Sequence, residues 1–343
     1  MFGSTAATRG GPNNDYIVPD VPQDTISSLS FGVVSDQSVL VGSSWTKDIC
    51  VYTIDANTNI KKVCQTQATA PVLTTSVDSA NKIVFFGGFD NKVNAWDINT
   101  NQQLVVGEHA APVKALKFLS DMNILVSGGW DNTVKYWDVR QNTRQPIGQL
   151  SLPGKVYALD AHGPSRQLIV GIEQKRYAFV DLNNPMNMAK TGETTHELQT
   201  SCAAINPAGG YAIGSIEGRV HIEYVGARAA QSFPFRCHRA TAGTVSEAYA
   251  VTSLNFHPKT GILATTGADG TYIFWDHAAK SKLKSFEKND VPIACATFNH
   301  DGSLFAYAAS YNWNKGYSCP QREKPHKIYV HVCNKTEVTS KAR

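Results

Sequence analysis

Two sets of polar side chains carry the residue types that could do chemistry: His109, Ser127 and Asp131 ahead of Trp137, and His238, Thr265 and Asp269 ahead of Trp275. In isolation either histidine would look catalytic, since a nucleophile needs a base and the base an orienting carboxylate. No other catalytic signature accompanies them. Gly214-Ser215-Ile216-Glu217-Gly218 has the wrong order for a nucleophile elbow, and there is no P-loop, G-x-G-x-x-G or H-E-x-x-H. Asp90, Asp131 and Asp269 sit in turn contexts, where aspartate shapes backbone. Binding chemistry is better represented. Arg219, close to Glu217 and Glu223 in SIEGRVHIEY, could hold a carboxylate in two parallel hydrogen bonds, or be paired internally with either glutamate. Lys280, Lys282 and Lys284 alternate with Ser281, Leu283 and Ser285, so on a regular strand they share one face. Such a row is ordinary edge protection. Phe235 and Arg236, with Arg239 beyond Cys237-His238, could alternatively complete a groove that stacks bases and contacts phosphates.

These residues lie in a repeating element. In LVSGGWDNTVKYWDV, from Leu125 to Val139, a short strand, a tight turn and a second strand end on Trp-Asp. Trp96-Asp97 and Trp275-Asp276 close overt copies, and Tyr52, Val180, Glu223 and Val330 mark degraded ones. A period near ~40 to 45 residues with this ending is the signature of WD40 blades. Seven anchors predict an all-β, seven-bladed WD40 β-propeller over residues 15–333, flanked by a flexible tail over 1–14 and a polar tail over 334–343. The segment after Cys333 is too polar for a buried strand, so Tyr16-Ile17-Val18 is predicted to complete the last blade and remove its open edge. At blade spacing, His109, Ser127, Asp131 and Trp137 become a structural tetrad, as do His238, Thr265, Asp269 and Trp275. The second blade keeps Asp90 and Trp96 but has Phe86 at the hydroxyl position. Two insertions stand out: a loop over 239–250 ahead of the sixth blade, and 311–325 between the middle strands of the seventh.

The residue before each turn aspartate, or its equivalent, belongs near one rim. Successive blades place Trp45, Phe89 and Trp130 there, where three aromatics could anchor a peptide or pack between blades. Composition agrees with a folded chain: 343 residues, 42% hydrophobic and 17% charged. No apolar run approaches the ~18 residues of a membrane span, and MFGSTAATRGGPNNDY lacks a signal core, so a soluble, non-secreted protein without membrane insertion is predicted. The seven cysteines contain no C-x-x-C pair, and Cys319, His326, His331 and Cys333 match no zinc spacing, so neither metal nor cofactor is predicted. A net charge of +4 is too small to establish a nucleic-acid partner.

SIEGRV, FRCHR, NFHP with GADG and FWD, and FNHDGSLFAYAASYNWNKG together resemble the family of nuclear pore-associated mRNA export factors, and the likeness reaches PQDTISSLSF and EHAAPVK. SIEGRV and the CHR segment are shared with the spindle-checkpoint propellers that recruit mitotic checkpoint kinases to kinetochores. The resemblance implies a non-enzymatic scaffold that binds the GLEBS segment of an FG-repeat nucleoporin and supports mRNA export, located in the nucleus, at the nuclear envelope and nuclear pore complex, and shuttling to the cytoplasm. It implies that Arg219, beside Glu217, grips a glutamate of that peptide, that Trp45 lines its path, and that single-stranded RNA meets a basic groove around Phe235, Arg236, Lys280 and Lys282. One departure is visible: Ser201 precedes Cys202 where the family usually has a second arginine. The competing expectations are a kinetochore adaptor for a checkpoint kinase and a propeller hydrolase whose titratable groups converge in the channel.

Overall fold

The computed structural model describes residues 8–340, apart from positions 142, 243 and 314. Its strands form seven four-stranded antiparallel sheets, the blades of a propeller, and a separate two-stranded ribbon. Blade three shows the unit: Val113–Leu119, Ile124–Gly129, Thr133–Asp138 and Gly148–Ser151 pair in that order, the first against the first strands of its neighbours and the last outermost. The link between second and third strands requires a left-handed residue, and the chain supplies Asn91, Asn132, Gly218 and Gly270 with φ of +64°, +62°, +66° and +84°. At Gly218 only glycine fits, because a Cβ would lie 2.6 Å from the Cys237 carbonyl oxygen.

One backbone hydrogen bond recurs in every blade. The residue after the second strand donates its N–H to the carbonyl just ahead of the first: Trp45 to Thr25, Phe89 to Pro71, Trp130 to Pro112, Glu173 to Lys155, Ile216 to Gln199, Ala268 to Ala250, Ser310 to Pro292. These positions therefore ring one face of the propeller, the rim. Apolar packing is equally periodic, with one cluster at each seam between adjacent blades. A single blade would leave both faces wet, so stacking supplies the burial.

The ring closes through the N-terminal segment. Tyr16 pairs with Val330 and Ile17 with Tyr329, making Tyr16–Ile17 the outer strand of blade seven. Asp15, buried just ahead of it, accepts from Tyr307 Oη at 2.7 Å and binds His331 Nδ1 at 2.7 Å. Residues 1–7 of the expected N-terminal tail lie outside the described residues, as do 341–343. Within residues 8–14, Arg9 bridges to Tyr16 and stacks its guanidinium on that ring. Residues 334–340 fold back on the propeller through a 3-10 turn, Lys335–Glu337. Glu337 is buried, meeting His331 Nε2 at 3.0 Å and Lys284 Nζ at 2.5 Å.

The insertion ahead of blade six is not a loop but a ribbon, Arg239–Ala242 paired with Val245–Ala248. Strand pairing satisfies backbone groups that small polar side chains could not. The second insertion joins Leu304–Ala309 to Lys327–Val332, and Trp313 within it donates its indole N–H to Thr25 Oγ1 at 3.1 Å.

Candidate functional site

Blade three closes its polar network completely. His109 meets Asp131 through Nδ1 at 3.0 Å and Ser127 Oγ through Nε2 at 2.7 Å, and the Trp137 indole donates to the same hydroxyl at 2.8 Å. Thr133 Oγ1 adds a bond to Asp131 at 2.8 Å. Burial works to raise the Asp131 carboxyl, but His109, the Ala110 amide and Thr133 together hold it well below the usual carboxylate range. Gly129 is required beside the network, since a Cβ there would lie 2.5 Å from His109 Nδ1. Blade six repeats the arrangement: His238 reaches Asp269 at 3.0 Å and Thr265 at 2.9 Å, and Trp275 donates to Thr265 at 3.0 Å.

Blade five, Thr200–Ile205, Tyr211–Ser215, Arg219–Glu223 and Phe233–Arg236, is built on the same frame with the network taken apart. The recurring backbone bond aligns Ile216 with Trp130. Ile213 then stands at the hydroxyl position, Ser215 at the glycine, Glu217 at the aspartate, Arg219 at the threonine and Glu223 at the tryptophan. The histidine survives as His196, 1% exposed, with neither ring nitrogen bonded to protein. Burial, with some help from His221 and Arg219 and against Glu217, pushes its pKa down to about 4.

The carboxylate released from that histidine faces Arg219. Glu217 Oε2 lies 3.9 Å from Arg219 Nε and Glu197 Oε1 lies 3.4 Å from a terminal nitrogen, while Nε itself is buried without a hydrogen-bond partner. Glu223 is taken by Lys190 and by His221, the latter at 3.0 Å, so it does not neutralise the arginine. The Arg219 side chain is 23% exposed, and its closest carboxylate is on a side chain 75% exposed. A guanidinium held this loosely retains donors for an incoming carboxylate.

The rim aromatics form a continuous row. Ring centroids of Trp45 and Phe89 are 5.3 Å apart, Phe89 and Trp130 5.8 Å, and Trp130 and Tyr157 6.4 Å. Trp45 and Phe89 remain 39% and 37% exposed, so packing between blades leaves much of both rings available. Tyr157 extends the row into blade four; its place on an inner strand gave no sign of this in the sequence.

The basic candidates separate in space. Phe235 packs on Trp275 at 4.9 Å and lies near Phe233 at 6.1 Å, on the wall between blades five and six. Lys280 Nζ sits 4.6 Å over the Phe233 ring. Arg236 is opposite Arg219 across its strand pair, so it faces blade four, away from Phe235; neighbouring residues of a strand point to opposite sides. Arg239 is at the rim, donating to the Glu217 carbonyl at 3.0 Å. The lysine row is corrected as well. A bulge at Leu283 sets Lys282 opposite Trp275 and Lys284 opposite Phe274, hence on different faces. Lys280 precedes the strand with φ +53°, and Lys284 is bound to Glu337. Phe233 was missed in the sequence, although its spacing of two from Phe235 puts it on the same face.

Comparison with known proteins identifies relatives over nearly the whole chain. The mRNA export factor of Mus musculus is 38% identical over 96% of this chain and 92% of its own length. The chain belongs to the mRNA export factor family. The Xenopus tropicalis member is 35% identical with the same coverage, and the Poly(A)+ RNA export protein of Schizosaccharomyces pombe is 36% identical over 98% of this chain and 97% of its own. The family model for "WD domain, G-beta repeat" matches residues 101–138 and 236–276, the segments carrying the two closed tetrads. Among solved structures, U3-55K superimposes with a TM-score of 0.78 at 16% identity, over 94% of this chain and all of that one. The WD40 β-propeller domain of Doa1 does so at 0.71 and 14%, over 98% and 99%. Those two likenesses concern the fold alone. Ser201 donates its hydroxyl to the Val251 carbonyl at 2.6 Å and carries no charge to the rim.

Outside the rim, the lower mouth of the channel opens on a cavity of about 460 Å3 in which Lys117 and Asp160 pair at 2.7 Å. His162 in its wall takes Ser165 Oγ at 2.8 Å and the Ser165 amide, which closes a turn.

Proposed function

We propose that this chain is a non-enzymatic scaffold that binds the GLEBS segment of an FG nucleoporin across the rim and supports mRNA export at the nuclear pore, shuttling between nucleus and cytoplasm. The observation that carries the reading is Arg219: a partly buried guanidinium held loosely, by an exposed Glu197 at 3.4 Å and by Glu217 at 3.9 Å, on the rim that also presents Trp45, Phe89 and Trp130. Aromatic side chains supply area at small entropic cost, and a desolvated arginine supplies orientation, which is the combination that anchors an acidic peptide. The export role is supported by the names of the relatives, mRNA export factor and Poly(A)+ RNA export protein.

A second surface for single-stranded RNA is the wall between blades five and six, where Phe233, Phe235 and Trp275 can stack bases beside Lys280 and Lys282. Base stacking on such a platform contributes about 1–3 kcal/mol per base. Phosphate contacts by two lysines should give a salt slope that falls by about 1.4 when both are removed. RNA titrations of the wild type and the Lys280→Ala/Lys282→Ala protein between low and moderate salt measure this, and an unchanged slope contradicts it.

Affinity purification from the native cell tests the scaffold reading. An FG nucleoporin should co-purify, and its recovery should drop with Arg219→Ala. Recovery of a checkpoint kinase in place of the nucleoporin would assign the chain to kinetochores instead.

A further inference from the structure

Each inner strand skips one residue in pairing with the next strand, always directly after its first residue. Such a bulge takes a side chain out of the alternation and re-aims it. Repeated seven times at the same level, it sets seven side chains around the rim end of the channel. Ser27, Leu73, Tyr157, Thr252 and Ala294 are uncharged, and Ser201 is bound to the Val251 carbonyl. Lys114 is the one cation of the ring. It stays partly exposed between buried Val113 and Ala115, and has neither an ion pair nor a side-chain hydrogen bond among the described residues.

Lys114 shares a cavity of about 500 Å3 with Trp45, Leu73, Ile26, Ala294 and Trp313. Its walls are largely apolar, and Asp24 is the carboxylate at its edge, already accepting from the Thr25 amide at 2.6 Å. Trp313, 44% exposed, and Trp45 both line this cavity, and Trp45 also begins the aromatic row that leads by way of Tyr157 toward blade five. A segment lying on that row therefore passes directly over the cavity mouth.

We propose that Lys114 is a second carboxylate anchor for the acidic segment that Arg219 holds, and that an apolar side chain beside this carboxylate seats between Trp45 and Trp313. The inference rests on the reading that a peptide lies across the rim. It adds to the charge of Arg219 in blade five a second one from blade three. Crowding by the channel wall lowers the pKa of the amine, so a carboxylate brought to it regains an interaction that solvent supplies poorly there.

The test is a titration of a GLEBS peptide against the wild type, Lys114→Met, Lys114→Arg and Arg219→Ala, with each glutamate of the peptide replaced in turn by glutamine. Lys114→Met should weaken binding by about tenfold to a hundredfold, and Lys114→Arg by less than about threefold. One glutamate should lose its contribution only in Lys114→Met, and it should differ from the glutamate coupled to Arg219. Unchanged affinity in Lys114→Met beside a loss in Arg219→Ala overturns the second anchor and leaves the rim reading intact. Equal losses in Lys114→Met and Lys114→Arg overturn the role of charge. Failure of the wild type to bind overturns the rim reading itself. Melting curves of each variant separate binding losses from unfolding, and Lys114→Gln takes the place of the methionine variant if the latter melts early.

Discussion

Blades three and five share a backbone frame and differ in what one constellation of side chains is free to do. In blade three, His109, Ser127, Asp131, Thr133 and Trp137 satisfy one another, and nothing is left over for a ligand. In blade five the same positions hold His196, Ile213, Glu217, Arg219 and Glu223. Removal of the hydroxyl strands the histidine, the longer acidic side chain turns to the arginine, and the arginine is left with open donors. The apolar seams on the network side of the two blades are alike, seven buried residues between blades two and three and six between four and five, so the difference lies in the polar side chains. A closed polar network stabilises its blade; the same network opened leaves charge at the surface, where it can recognise a partner.

The comparison can be broken at several points. The largest effect is expected from Asp131→Ala, which leaves His109 buried without its carboxylate and should cost about 3 kcal/mol or more of unfolding free energy. Glu217→Gln in blade five should cost less than about 1 kcal/mol; denaturant midpoints of the two variants measure the contrast. Next is pH. His196 has a folded pKa of about 4, below its ordinary value near 6.5, so the unfolded chain binds the proton more readily. Stability from this residue is intact above about pH 6.5 and falls as pH drops toward 4, by a total on the order of 3 kcal/mol. The decline should shrink in His196→Leu, and an identical pH profile for that variant would remove His196 as its source. Smallest is the effect of His196→Leu at neutral pH, expected to be neutral or stabilising by about 1 kcal/mol because it removes an unpaired buried polar group. His109→Leu, by contrast, should destabilise.

Much of this was legible in the sequence. Trp96, Trp137 and Trp275 mark blades because the first two indoles fill seams and the third packs half-buried against one, and the polar segment after Cys333 made Tyr16–Ile17 the strand that closes the ring. Arg219 stood out because SIEGRV breaks the repeat. What escaped depends on geometry that periodicity does not carry. The bulge at Leu283 divides the lysines between two faces, although strict alternation puts them on one. The 239–248 ribbon forms from residues with little strand character. By type and spacing Lys114 is an ordinary polar residue of an inner strand, and only the seven bulges at one level set it apart. His196 carries the histidine of a tetrad whose other members have changed, so nothing beside it in the sequence pointed to it.

The most direct measurement is a calorimetric titration of a GLEBS peptide against wild type and Arg219→Ala, with melting followed on the same samples. Arg219→Ala should lose about a hundredfold in affinity, with its unfolding free energy changed by less than about 1 kcal/mol. Equal affinity for the two proteins, or a loss of binding that tracks a loss of fold, would contradict the assignment of the opened fifth blade as the recognition site.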